Sequence, residues 1–146
     1  MSAPGNIVEA ALQALCKIFV IFIATIYDGE NLIYMAAQNG HAECIRMLHE
    51  CGADVNTALP NGRTPVFMAA QEGHAECIRM LHECGADVNT ADSNGTTPVF
   101  MATQEGHAEC IRMLHECGAD VNTASSCGRT PVFMAAQEGH AECIRM

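Results

Sequence analysis

Residues 61–93 read NGRTPVFMAAQEGHAECIRMLHECGADVNTADS, and their local signals define a folding unit. Asn61-Gly62 is a turn pair, because both residue types tolerate positive φ. Thr64-Pro65 supplies an N-cap hydroxyl and then a proline at the first helical position, where the missing N–H has no helical partner to lose. Gly73 is a left-handed stop for this helix, and His74 opens a second one in which Ile78, Leu81 and Cys84 fall at helical spacing until Gly85. Each helix has only about two to three turns, too few to persist alone in water. Ala69 and Ala70 permit close helix approach, while Cys77, Ile78, Met80 and Leu81 supply the larger apolar surface. Such units must bury their faces against one another.

The sequence repeats them. The string TPVF recurs around Pro65, Pro98 and Pro131, and GHAECIRM begins at Gly40, Gly73, Gly106 and Gly139, always 33 residues apart. The period predicts full units at 28–60, 61–93 and 94–126 and a partial one at 127–146, stacked as an all-α, one-dimensional solenoid. The order Asn61-Gly62-Arg63-Thr64-Pro65, Ala69-Ala70, Gly73-His74 and Gly85-Ala86-Asp87-Val88-Asn89 resembles the ankyrin repeat across residues 28–146. The resemblance implies a solenoid of helix-turn-helix units with hairpin-like turn fingers, part of a longer array, acting as a protein-interaction module. One departure matters. The family's Thr-Pro-Leu-His becomes Thr64-Pro65-Val66-Phe67, and Asn31-Leu32-Ile33-Tyr34 in the first unit. Phe67, Phe100 and Phe133 cannot hydrogen-bond as the family's histidine does, so rigidity is expected to rest more on packing.

In this family the fingertips and the exposed part of the first helix line a concave groove. The matching positions are Asp28, Glu30, Gln38 and Asn39, then Pro60, Asn61, Arg63, Gln71 and Glu72. At the third finger and its helix they are Ser93, Asn94, Thr96, Thr103, Gln104 and Glu105, and at the fourth Ser126, Cys127, Arg129, Gln137 and Glu138. The few differences between units concentrate there: Leu59-Pro60 becomes Asp92-Ser93 and Ser125-Ser126, Asn61 becomes Cys127, Arg63 becomes Thr96 and Ala70 becomes Thr103. Differences in loops are also what neutral drift produces.

The composition narrows the partners. With 17 acidic residues against 7 Lys and Arg, the net charge is −10, which argues against nucleic acid or anionic lipid as the main partner. All of that excess lies within residues 28–126, giving a modest expectation of a basic protein surface. Nine cysteines are an odd number, below disulfide-scaffold density, and point to a reducing compartment, hence the cytoplasm. Within a helix the pairs Cys44/Cys51, Cys77/Cys84 and Cys110/Cys117 stand about 10 Å apart, beyond the span of a disulfide of about 7 Å. They read as buried thiols, whereas Cys127 at a turn tip is a candidate exposed one.

Chemistry has little foothold. His74 and Cys77 lie three apart on one helix, but copies at solenoid spacing cannot converge on one tetrahedral centre, so neither metal nor cofactor is expected. No serine elbow or phosphate-cradling loop is present, Glu76 and Arg79 read as a solvated pair, and no enzyme is expected. His49, His82 and His115 fall at the edge of the second helix, where a pH-sensitive role is conceivable. Leu48 followed at the eighth position by Asn56 resembles the site of the asparaginyl hydroxylase that modifies ankyrin domains, recurring at Asn89 and Asn122. The same string is ordinary repeat consensus, in which the Asn stabilises the turn.

Residues 1–27 lack the unit's signature, although a shift of 33 sets Leu12 and Leu15 against Ile45 and Leu48. A degenerate second helix capping the stack is the first reading. The apolar run Ile18–Ile26 also invites a membrane or signal segment over 7–27, but that span must include Glu9, Gln13 and Lys17. A third reading is that the boundary is accidental and the chain an incomplete product of unit duplication.

Overall fold

The structure, a computed structural model, describes residues 29–145 together with the single helical positions Ile7, Ala10, Ala11, Ala14, Leu15 and Ile18. The readings of residues 1–27 as cap or membrane segment, and of Asp28 as a contact, otherwise lie outside the described residues. Among the described residues, no helix is long and apolar enough to cross a membrane.

Helices alternate in pairs: α1 (Gly29–Asn39) and α2 (Ala42–Glu50), α3 (Pro65–Glu72) and α4 (Ala75–Glu83), α5 (Pro98–Glu105) and α6 (Ala108–Glu116), α7 (Pro131–Glu138) and α8 (Ala141–Ile144). No strand occurs among them. First helices stack on first helices and second on second, forming two layers. The predicted caps account for the starts and stops. Thr64 sits at φ −92°, ψ 168° and its Oγ1 accepts the Phe67 N–H at 3.2 Å, with Pro65 following; Thr97 and Thr130 repeat this. The first unit departs from it: without Thr-Pro to set a start, α1 already includes Gly29 and Glu30, so Glu30 lies in a helix rather than in a turn finger.

Fingers form without strands. Leu59, Asp92 and Ser125 each donate their backbone N–H to the carbonyl of Arg63, Thr96 and Arg129, and each finger bonds to the next through Ser93 N–H to Asn61 O and Ser126 N–H to Asn94 O. The core runs unbroken between the layers, with Ile33, Val66, Ala69, Ala70, Ile78, Leu81, Val99, Ala102 and Leu114 almost fully buried. A second cluster of Phe67, Met68 and Met101, with Tyr34 against it, occupies the place where the family's histidine would stand.

Two kinds of side-chain contact to backbone also link neighbouring units. The Nε2–H of His74, His107 and His140 donates to the carbonyl of Gln38, Gln71 and Gln104 at 3.0–3.1 Å. The Oδ1 of Asn56 and Asn89 accepts the N–H of Asp87 and Asp120 at 2.8 Å. The histidine ring needs glycine beneath it: a Cβ on Gly73, whose φ is +85°, would lie 2.9 Å from the His107 ring. Gly85 has a φ of +95° but open space around its Cβ position. Gly73→Ala should therefore cost about 2–4 kcal/mol, combining backbone strain with overpacking, and Gly85→Ala only the strain of about 1–2 kcal/mol. Urea unfolding measures both, and His107→Ala should relieve part of the Gly73→Ala loss.

Candidate functional surface

The finger and the first helix share one surface, and Arg63 shows how they are joined. Its guanidinium carbon stands 5.0 Å from the Phe67 ring centroid, its Nη1 donates to Gln71 Oε1 at 3.4 Å, and its Nε lies 3.6 Å from Asp92 Oδ2. The Nε is buried without a hydrogen-bond partner, while about a third of the side chain remains exposed. Asp92 is buried and does two jobs. Its Oδ1 accepts the N–H groups of Asn94 and Thr96 at 2.9 and 3.0 Å, shaping its finger, while Oδ2 faces Arg63 of the preceding finger. Tyr34 stands near the same group. Burial raises its pKa, with Arg63 opposing and Glu72 reinforcing the shift.

The expected contact positions divide. Gln38, Asn39, Pro60, Asn61, Glu72, Ser93, Asn94, Glu105, Ser126, Cys127, Arg129, Gln137 and Glu138 are exposed, and Arg63, Gln71, Thr96 and Gln104 are half-buried on the same side. Thr103 is a correction. It is 3% exposed and its hydroxyl donates to Val99 O at 2.8 Å, so its difference from Ala70 is absorbed in packing and does not reach a partner. Arg129 lies 6.0 Å from the Phe133 centroid, and the pair Arg63 and Asp92 is replaced one step on by Thr96 and Ser125. Asp92 and Tyr34 were missed by the sequence reading; the change of Leu59 to Asp92 opposite an arginine was the available signal.

The other layer is arranged differently. Arg79 pairs with Glu76 at 2.7 Å and Glu83 at 2.6 Å, and Arg46, Arg112 and Arg145 pair with Glu43, Glu109 and Glu142. His49, His82 and His115 are exposed there. His74, His107 and His140, which the metal idea had invoked, are committed to carbonyls of the preceding unit. Among the described residues, no group of three or more His, Cys, Asp or Glu gathers as a metal site. Asn56, Asn89 and Asn122 are exposed, the first two spanning to the next unit.

The cysteines also divide. Cys77 and Cys110 are buried, Cys51, Cys84, Cys117 and Cys143 half-buried, and Cys44 and Cys127 exposed. The expectation of buried thiols holds in full only for Cys77 and Cys110, whose helix face meets the preceding second helix. Burial, reinforced by Glu76 and then Cys44, pushes Cys77 up to about 11, and burial with Cys77 and Glu109 pushes Cys110 up to about 12.

A family model described as ankyrin repeats, in three copies, matches residues 5–92 and 84–146. No curated protein matches the chain.

Two outcomes follow from these contacts. Asp92→Ala strands two finger N–H groups and removes the anion facing Arg63, so it should cost about 1–3 kcal/mol in urea unfolding. The thiols add a pH dependence. Because the native state holds the Cys77 and Cys110 protons more tightly than the unfolded chain, which ionises near 8.5, their contribution is complete below that pH. It is lost as pH rises towards about 12. Urea midpoints at pH 7.5 and about 10.5 should fall accordingly, and less steeply in a Cys77→Ala/Cys110→Ala variant.

Proposed function

Since the chain belongs to the ankyrin repeat family, a generic protein-interaction module, we propose that it binds a partner protein along the groove formed by its fingers and first helices. The observation that carries this reading is the row of exposed or half-buried polar side chains Gln38, Asn39, Arg63, Gln71, Glu72, Gln104 and Glu105, presented on one surface by stacked rigid units. Helices whose backbone and core are held from both neighbouring units can offer such side chains at fixed spacing, which lowers the ordering cost of binding. The role proposed is that of a scaffold, which is what the ankyrin repeat family generally provides.

Units 28–60, 61–93, 94–126 and 127–146 are the proposed modules, working in the cytoplasm and as part of a longer array. The family match begins at residue 5, which favours residues 1–27 as a degenerate capping unit over a membrane anchor. Hydroxylation is a further proposal for Asn56, Asn89 and Asn122, supported by their exposure and the Leu-to-Asn spacing.

A partner obtained by affinity selection on the full chain and measured by titration tests the groove. Arg63→Ala and Arg129→Ala should each weaken it about tenfold, the scale of a well-placed interface arginine. Arg79→Ala, on the opposite layer, should leave affinity within about twofold. Equal losses at all three positions would overturn the groove assignment.

A further inference from the structure

Two faces of this chain carry apolar surface of a kind that its interior units bury. The first belongs to the helical positions Ile7, Ala10, Ala11, Ala14, Leu15 and Ile18, all of them exposed, with Ile7, Leu15 and Ile18 at 69%, 61% and 63%. At about 3.6 residues per turn the six fall within less than half of the helix circumference, so they form one apolar stripe. The second face is a groove of about 430 Å³ among α5, α6, α7 and the four-residue α8, lined by Val99, Ile111, Val121, Val132, Ala135 and Ile144. There Val132 is 56% and Ile144 48% exposed.

The 33-residue period relates these faces to each other. Ala11, Ala14, Leu15 and Ile18 stand three periods before Cys110, Met113, Leu114 and Cys117. Of these, Cys110 and Leu114 are fully buried, and Met113 and Cys117 pack against the same core. One period before the groove stand Val66, Ile78, Val88, Val99, Ala102 and Ile111, every one of them exposed by 6% or less. Inside the solenoid both sets belong to one continuous apolar cluster. The stripe and the groove are therefore two halves of a contact that the repeat makes between its own units.

We propose that the chain associates head to tail with a second copy of itself, the stripe of Ile7, Leu15 and Ile18 lying in the groove between Val132 and Ile144 of the next copy. The second-helix layer then continues from one copy into the other, and contiguous apolar surface that water would otherwise cover is buried at both faces. Because stripe and groove are different surfaces, the contact is heterologous. A pair leaves one stripe and one groove free, so assembly proceeds beyond the dimer. Each copy carries a net charge of −10, so the copies repel at long range and association strengthens as salt screens them. The proposal concerns the two ends of the stack and is independent of the partner-binding reading.

Sedimentation of the full chain over about a hundredfold range of concentration reads the assembly. The weight-average mass should climb past that of a dimer, and climb further at raised salt. Leu15→Glu places a charge on the stripe and Ile144→Glu one in the groove, and each alone should hold the mass near that of the monomer. Met35→Glu, at a similarly exposed apolar position on α1, should leave assembly unchanged. The decisive sample is a mixture. Leu15→Glu keeps an intact groove and Ile144→Glu an intact stripe, so the two variants together should form a one-to-one dimer and stop there. Circular dichroism verifies that each variant keeps the parent's helicity, and Ile7→Glu with Val132→Glu repeats the experiment at a second exposed position on each face. A monomer at every concentration, loss of assembly from only one of the paired variants, or a mixture that stays monomeric would overturn the proposal.

Discussion

The solenoid depends on an imidazole lodged against a glycine of the preceding unit. His107 can reach Gln71 O only because Gly73 carries no side chain, and the same pairing joins His74 with Gly40 and His140 with Gly106. The glycine is required twice, first to end its own helix in the left-handed conformation and then to admit the neighbour's ring. Short helices that would melt alone are thereby fixed in register with those before and after them. The Asn56 and Asn89 side chains secure the opposite end of each second helix in the same way, by satisfying a backbone N–H one unit on. With Phe67 in place of the family's histidine, these contacts, the finger-to-finger backbone bonds and the Phe67–Met68–Met101 cluster together hold the register.

The helices and their caps were legible in the sequence because their causes are local. Thr64, Pro65 and Gly73 act within a turn of where they stand, and period 33 copies their effect along the chain. The contacts between units were not legible, because their partners are backbone groups. Nothing in the identity of Gln38 or Asp87 announces that its carbonyl or N–H will be used from another unit. For the same reason, His74 could be set aside as a metal ligand on geometry, yet its actual partner could not be named.

The surface shows the same limit. Register placed Glu30 in a finger, but the missing Thr-Pro let α1 start earlier, and Thr103 looked like a surface difference until its hydroxyl was found bonded to Val99 O inside the core. A threonine in a helix can satisfy itself at the carbonyl four residues back, so a polar substitution need not mark an exposed position. Cysteine burial divides by position in the stack. The same Cys-Ile-Arg-Met string buries Cys77 and Cys110 against a preceding helix and leaves Cys44 exposed.

Near-identical units make the core contacts almost the same at every step, so whatever distinguishes one part of this surface from another must come from the few residues that break the repeat. Asp92 is the clearest of them. It shapes its own finger through Asn94 and Thr96 and faces Arg63 of the finger before, so one substitution couples two neighbouring fingers and sets an anion beside a cation between them. One step on, the matching places hold Thr96 and Ser125, neither of which carries a charge. An ion pair between two fingers thus gives way to two uncharged side chains between the next two. A partner lying along the groove meets a half-buried, neutralised cation at one step and no charge at the next, which gives an otherwise periodic surface a direction.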